Sequence, residues 1–89
     1  MSEHNLPVLV VEDDPSLREA IGDTLELAGR AYVAVDGGEA ALRVLGEQAF
    51  SIVVSDVRML PMDGIILLKE ILARLPHLPV VLMTAYAEV

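Results

Sequence analysis

The stretch Ser51-Ile52-Val53-Val54-Ser55-Asp56-Val57-Arg58-Met59-Leu60-Pro61-Met62-Asp63-Gly64 constrains the fold most. A short apolar run rich in β-branched residues stops on a carboxylate, and a turn of Pro, Asp and Gly follows. Such a run, bounded by turn residues, reads as a buried strand that delivers Asp56 to its C-terminal end. In open parallel α/β sheets, ligands gather at the carboxyl ends of the strands. Asp56 is therefore the first candidate for a functional residue.

The remaining elements repeat this strand and alternate it with helices. Leu6 to Val11 is an apolar run ending in Glu12-Asp13-Asp14, with Pro7 tolerated near the strand start. Asp14-Pro15 reads as an N-cap with proline at the first helical position. Leu17, Ala20, Ile21, Thr24, Leu25 and Ala28 then recur at helical spacing before Gly29. Ala31 to Val35 is a second strand, and Asp36-Gly37-Gly38 leads into a helix over Glu39 to Leu45 closed by Gly46. After the Asp56 strand, a helix runs from Gly64 to Leu75, with Ile65, Leu68, Ile71, Leu72 and Leu75 expected to face inward and Lys69 and Arg74 to face water. Pro76 and Pro79 bracket a linker, and Pro79 to Met83 is a fourth strand ending on Thr84. The order βαβαβαβ implies right-handed crossovers and a parallel sheet.

Composition narrows the possibilities. Eighty-nine residues make one domain, and a hydrophobic fraction of 54% with one Phe, two Tyr and no Trp requires an aliphatic core, the usual filling of a parallel sheet covered by helices. A net charge of −8 repels nucleic acid and anionic membrane and favours cations or basic partner surfaces. With no cysteine there is no disulfide framework or thiolate metal site. The first residues lack a signal-peptide pattern and no apolar run is long enough to span a membrane, so a cytoplasmic chain is expected.

Parallel strands bring Glu12, Asp13, Asp56 and Thr84 to one edge of the sheet. Each alone is explained by a wet strand end, and Asp14 by a helix cap. Together, converging carboxylates repel one another unless a cation sits between them. All-oxygen ligation points to a hard cation, Mg²⁺ rather than zinc, and the sequence carries no calcium loop.

The strings Val10-Val11-Glu12-Asp13-Asp14 before a helix at Pro15, Ser55-Asp56-Val57-Arg58-Met59 followed by Met62-Asp63-Gly64, and Leu78 to Val89 (LPVVLMTAYAEV) resemble the receiver domain of bacterial two-component response regulators, in particular those attached to sigma-54-dependent activators of the nitrogen-regulator type. The resemblance implies a flavodoxin-like open parallel sheet with helices on both faces and strand order 2-1-3-4. It implies that Asp56 is the phospho-acceptor, that Glu12, Asp13, Asp56 and the backbone carbonyl of Arg58 hold Mg²⁺, and that Thr84 contacts the phosphoryl group. The implied partners are a sensor histidine kinase and output domains of the same regulator that activate transcription.

The chain departs from the family pattern in three places. The pattern continues with a further helix, strand and helix, including a lysine that pairs with the phosphoryl group, so residues 1–89 are expected to form a single incomplete receiver domain. In the turn after Asp56, proline stands at 61, one place later than usual, which affects the local path near Arg58. Position 12 holds Glu where the family often has Asp. The fourth strand is expected to be an exposed edge through which chains self-associate. Two other readings compete with phosphotransfer: a binding or oligomerisation module that is not phosphorylated, and a Mg²⁺-dependent phosphohydrolase. The latter normally needs a general-acid carboxylate two residues after the nucleophile, where this chain has Arg58. His4 and His77 are read as solvated, Tyr86 as a candidate to move with Thr84, and the methionines as core filler.

Overall fold

A computed structural model describes residues 6–84. His4 and Tyr86 lie outside them. The described chain runs β1(Val8–Val11), α1(Pro15–Leu27), β2(Tyr32–Val35), α2(Gly38–Leu45), β3(Ile52–Asp56), α3(Gly64–Arg74) and β4(Val80–Met83). The four strands form one parallel sheet, as expected from the alternation of apolar runs and amphipathic segments, in the order β2-β1-β3-β4 that the family resemblance implies. The register pairs Val11 with Ser55 across β1 and β3, and Asp56 with Met83 across β3 and β4.

β1 is buried along its whole length because it is covered on both faces. Leu9 and Val11 join Val53, Ala41, Phe50, Met59, Leu67 and Ile71 in one core beneath α2 and α3. Val8 and Val10 alternate to the opposite side, where α1 packs on β1 and β2. The core is almost wholly aliphatic.

Helix termini follow the local chemistry. Asp14 caps α1 through Oδ1, which accepts from the amides of Ser16 at 2.9 Å and Leu17 at 3.4 Å, with Pro15 at the first helical position. Gly29, at φ 73°, takes the left-handed conformation that ends α1, and the amide of Arg30 reaches back to the Leu25 carbonyl at 2.9 Å. Asp63 caps α3, accepting from the Ile66 amide at 2.8 Å.

The inward face of α3 differs from the expectation drawn from spacing. Leu67 and Ile71 are fully buried and Leu68 is partly so, whereas Ile65, Leu72 and Leu75 are exposed. The helix is apolar nearly all round, so hydrophobic spacing does not choose its phase. The rotation is instead set by its N-terminus, where Asp63 caps it and Gly64 lies against β3. On α1, Leu17, Ile21 and Leu25 are partly buried, Ala20, Thr24 and Ala28 are exposed, and the fully covered residue is Gly22. Tyr32 packs over that glycine so closely that a Cβ there would stand 2.6 Å from the tyrosine oxygen. Lys69, Arg74 and His77 are exposed, as read from the sequence.

Candidate acidic site at the strand ends

β1 and β3 are central neighbours that run in the same direction, so the residues leaving their C-terminal ends meet. The carboxylates of Glu12, Asp13 and Asp56 offer oxygen atoms that all lie within 4.8 Å of one another. Glu12 and Asp56 are buried, at 1% and 7% exposure, and Asp13 is exposed to the solvent. Asp14 stays out of this cluster because its carboxylate is spent on the α1 cap.

Each buried carboxylate accepts a backbone hydrogen bond on one of its oxygens. Glu12 Oε2 accepts from the Asp14 amide at 3.0 Å, and Asp56 Oδ1 accepts from the Arg58 amide at 3.2 Å. Glu12 Oε1 is buried with no hydrogen-bond partner. An unsatisfied carboxylate oxygen costs free energy in a protein interior. Burial pushes the Glu12 carboxyl up to about 7; the neighbouring Asp13 and Asp56 carboxyls add to the shift and the Asp14 amide opposes it. An orphan oxygen beside two further carboxylates, with oxygen as the sole donor type, fits a hard divalent cation.

Arg58 and Thr84 are exposed. Arg58 is the second residue of the β3–α3 loop, and Thr84 directly follows Met83, the register partner of Asp56, so both lie at the same sheet edge as the cluster. The Leu60–Pro61 bond within the loop is cis.

Three contributors escaped the sequence reading. The Arg18 guanidinium donates to the Glu12 carbonyl at 2.9 Å. The buried Ser55 hydroxyl donates to the Asp56 carbonyl at 3.0 Å. Gly64 donates its amide to the Val57 carbonyl at 2.8 Å, tying the start of α3 to the end of β3. A signal for Arg18 was available: it lies four residues after the α1 cap, and long helical side chains point back toward the N-terminal turn. For Gly64, read from the sequence as part of a turn and the start of a helix, the contact with β3 has no local signal.

Comparison with known proteins gives this arrangement its context. Residues 8–89 match the response regulator receiver domain family. The chain is 62% identical over 82 residues to the response regulator protein FleR of Pseudomonas aeruginosa, covering 92% of this chain and 17% of that protein. It is 43% identical over 89 residues to the transcriptional regulatory protein ZraR of Escherichia coli, covering all of this chain and 20% of the relative. The chain thus spans about a fifth or less of the length of these curated relatives. Among solved structures, the Thermotoga maritima response regulator TrrA in complex with Mg²⁺-BeF superposes with a TM-score of 0.87 at 28% identity, covering 92% of this chain and 71% of that one. A response regulator receiver protein from Pseudomonas putida gives a TM-score of 0.87 at 30% identity, covering 94% and 71%. With its parallel 2-1-3-4 sheet of flavodoxin-like topology and an acidic cluster at the strand ends, the chain belongs to the response regulator receiver domain family.

Proposed function

We propose that this chain is the phospho-acceptor module of a longer two-component regulator, taking a phosphoryl group on Asp56 from a phosphohistidine of a sensor kinase and controlling an attached transcription-activating output. The observation that carries the reading is the meeting of Glu12, Asp13 and Asp56 around a buried carboxylate oxygen without a partner. Glu12, Asp13, Asp56 and the Arg58 carbonyl would hold Mg²⁺. When bound, the cation neutralises the phosphoryl oxygens, so that two anions can approach.

The protein supplies the nucleophile and its orientation. The Arg58 amide holds Asp56 Oδ1, which leaves Oδ2 as the attacking atom. As the Oδ2–P bond forms, the P–N bond of the phosphohistidine breaks. The bonding pair leaves on the imidazole nitrogen, which takes up a proton, and an acyl phosphate remains on Asp56. Thr84, one residue beyond the register partner of Asp56, would donate its hydroxyl to the new phosphoryl oxygens and draw the segment after β4 toward them.

The net charge of −8 supports a reading in which DNA contact belongs to the output domains rather than to this segment. Among the described residues no helix is long and apolar enough to cross a membrane. A cytoplasmic setting, where kinase and output would meet, is part of the proposal.

The test is uptake of label by the full-length protein from a small phosphodonor with Mg²⁺. One phosphoryl group per chain is expected, lost in Asp56→Asn and on chelation of the metal. Equal labelling of Asp56→Asn would overturn the assignment.

A further inference from the structure

Glu12 marks the point where β1 leaves the sheet, and three hydrogen bonds fix the chain there. Its amide donates to the Val35 carbonyl at 3.0 Å, which continues the β1–β2 pairing one residue past the strand. Its carbonyl accepts from Arg18 Nη1 at 2.9 Å. Its carboxylate Oε2 accepts from the Asp14 amide at 3.0 Å. The peptide plane between Glu12 and Asp13 sets the direction in which two of the three clustered carboxylates project. Among the described residues, Arg18 is the side chain from another element that bonds this peptide, through the Glu12 carbonyl. It reaches back from the first turn of α1, whose own start is fixed by the Asp14 cap.

We infer that Arg18 is a positioning residue for the metal site, holding the Glu12–Asp13 peptide in an orientation that suits a small cation with strict octahedral geometry. The inference rests on the proposed Mg²⁺ site. It also has a sign that separates it from simple electrostatics. A guanidinium bonded to the Glu12 carbonyl adds positive charge next to a residue of the cluster and would by its charge oppose a bound cation. If Arg18 acted only as a nearby positive charge, removing it would tighten Mg²⁺ binding. If it acts by holding the peptide plane, removing it weakens Mg²⁺ binding. Mg²⁺ suffers more than Ca²⁺, because Ca²⁺ accepts irregular and variable coordination.

The experiment is calorimetric titration of the full-length protein with MgCl₂ and, separately, CaCl₂. The variants are Arg18→Met, which keeps the stem and removes donors and charge, and Arg18→Lys, which keeps the charge and one donor. Arg18→Met is expected to raise the Mg²⁺ Kd about tenfold, the usual scale for losing a group that orients a ligand, and to change the Ca²⁺ Kd far less. Arg18→Lys is expected to recover most of the Mg²⁺ affinity. Unchanged or tighter Mg²⁺ binding in Arg18→Met would overturn the inference, and so would an equal loss of both cations accompanied by a lower Tm. Should Arg18→Met not fold, a Lys variant that folds but loses affinity for both cations alike would overturn it. A parent protein that binds no Mg²⁺ defeats the proposed function itself. A parent that binds it, paired with an indifferent Arg18→Met, defeats only the role of Arg18.

Discussion

The backbone of Gly64 lies so close to that of Asp56 that a Cβ on the glycine would overlap the Asp56 carbonyl oxygen and stand 2.9 Å from the Val57 Cα. Gly64 opens α3, where alanine would ordinarily gain up to about 1 kcal/mol over glycine. The overlap acts in the opposite direction, because it can be relieved only by moving α3 off the end of β3, at a cost of about 1–3 kcal/mol. Gly64→Ala is therefore expected to lower stability in urea by about 1–2 kcal/mol and to weaken metal binding by shifting Asp56. A Gly64→Ala protein more stable than its parent would show that helix propensity wins.

The Glu12 carboxyl makes the metal-free protein sensitive to pH. Its folded-state value near 7 lies above the ordinary 4.5, so between those values the folded chain binds more protons than the unfolded one. Stability from this group is fully present below pH 4.5 and is lost as pH rises through 7, with a slope of at most about 1.4 kcal/mol per pH unit. Thermal melts in chelator should show Tm falling over that window, and Glu12→Gln should flatten the fall. A Tm that climbs across the window by the same amount in both proteins would contradict the role given to Glu12.

Asp14 belongs to the helix and not to the cluster. Asp14→Ala is expected to cost about 1 kcal/mol by exposing the amides of Ser16 and Leu17, and Asp14→Ser to restore most of that. Mg²⁺ affinity should change little in either. A large loss of Mg²⁺ binding in Asp14→Ser, with stability intact, would make Asp14 a ligand.

β4 is an edge of the described sheet, and Val81 on it is 46% exposed. An apolar edge strand is a template for pairing with a second chain. The 89-residue chain studied alone is expected to self-associate between micromolar and near-millimolar concentration, and Val81→Lys to suppress this. Sedimentation showing a monomer throughout would rule it out.

Local signals in the sequence carried the elements and the meeting of the carboxylates. Asp14-Pro15 and Gly29 mark the ends of α1 through capping chemistry that acts within a few residues. The strand-end positions of Glu12, Asp13 and Asp56 follow once the sheet is parallel. What local pattern could not reveal was long-range. The phase of α3 is ambiguous because Ile65, Ile66, Leu67 and Leu68 offer an apolar residue to every direction, and only the seating of the helix start at Gly64 against the end of β3 turns Leu67 into the core. The burial of Gly22 depends on Tyr32, ten positions away on another element. The roles of Thr84 and Arg58 came from family resemblance, since an exposed threonine and a loop carbonyl carry no distinguishing pattern of their own.

The acidic cluster straddles the seam between β1 and β3, where Val11 pairs with Ser55. Its members are separated by all of α1, β2 and α2, so the cluster exists only in molecules whose central seam has already zipped. The β1-α1-β2 unit, whose strands pair in parallel, contains Glu12 and Asp13 but not Asp56. The closed seam holds like charges together, and a divalent cation between them would turn that repulsion into attraction. The acidic cluster is therefore a property of the completed β1–β3 seam and of no single element.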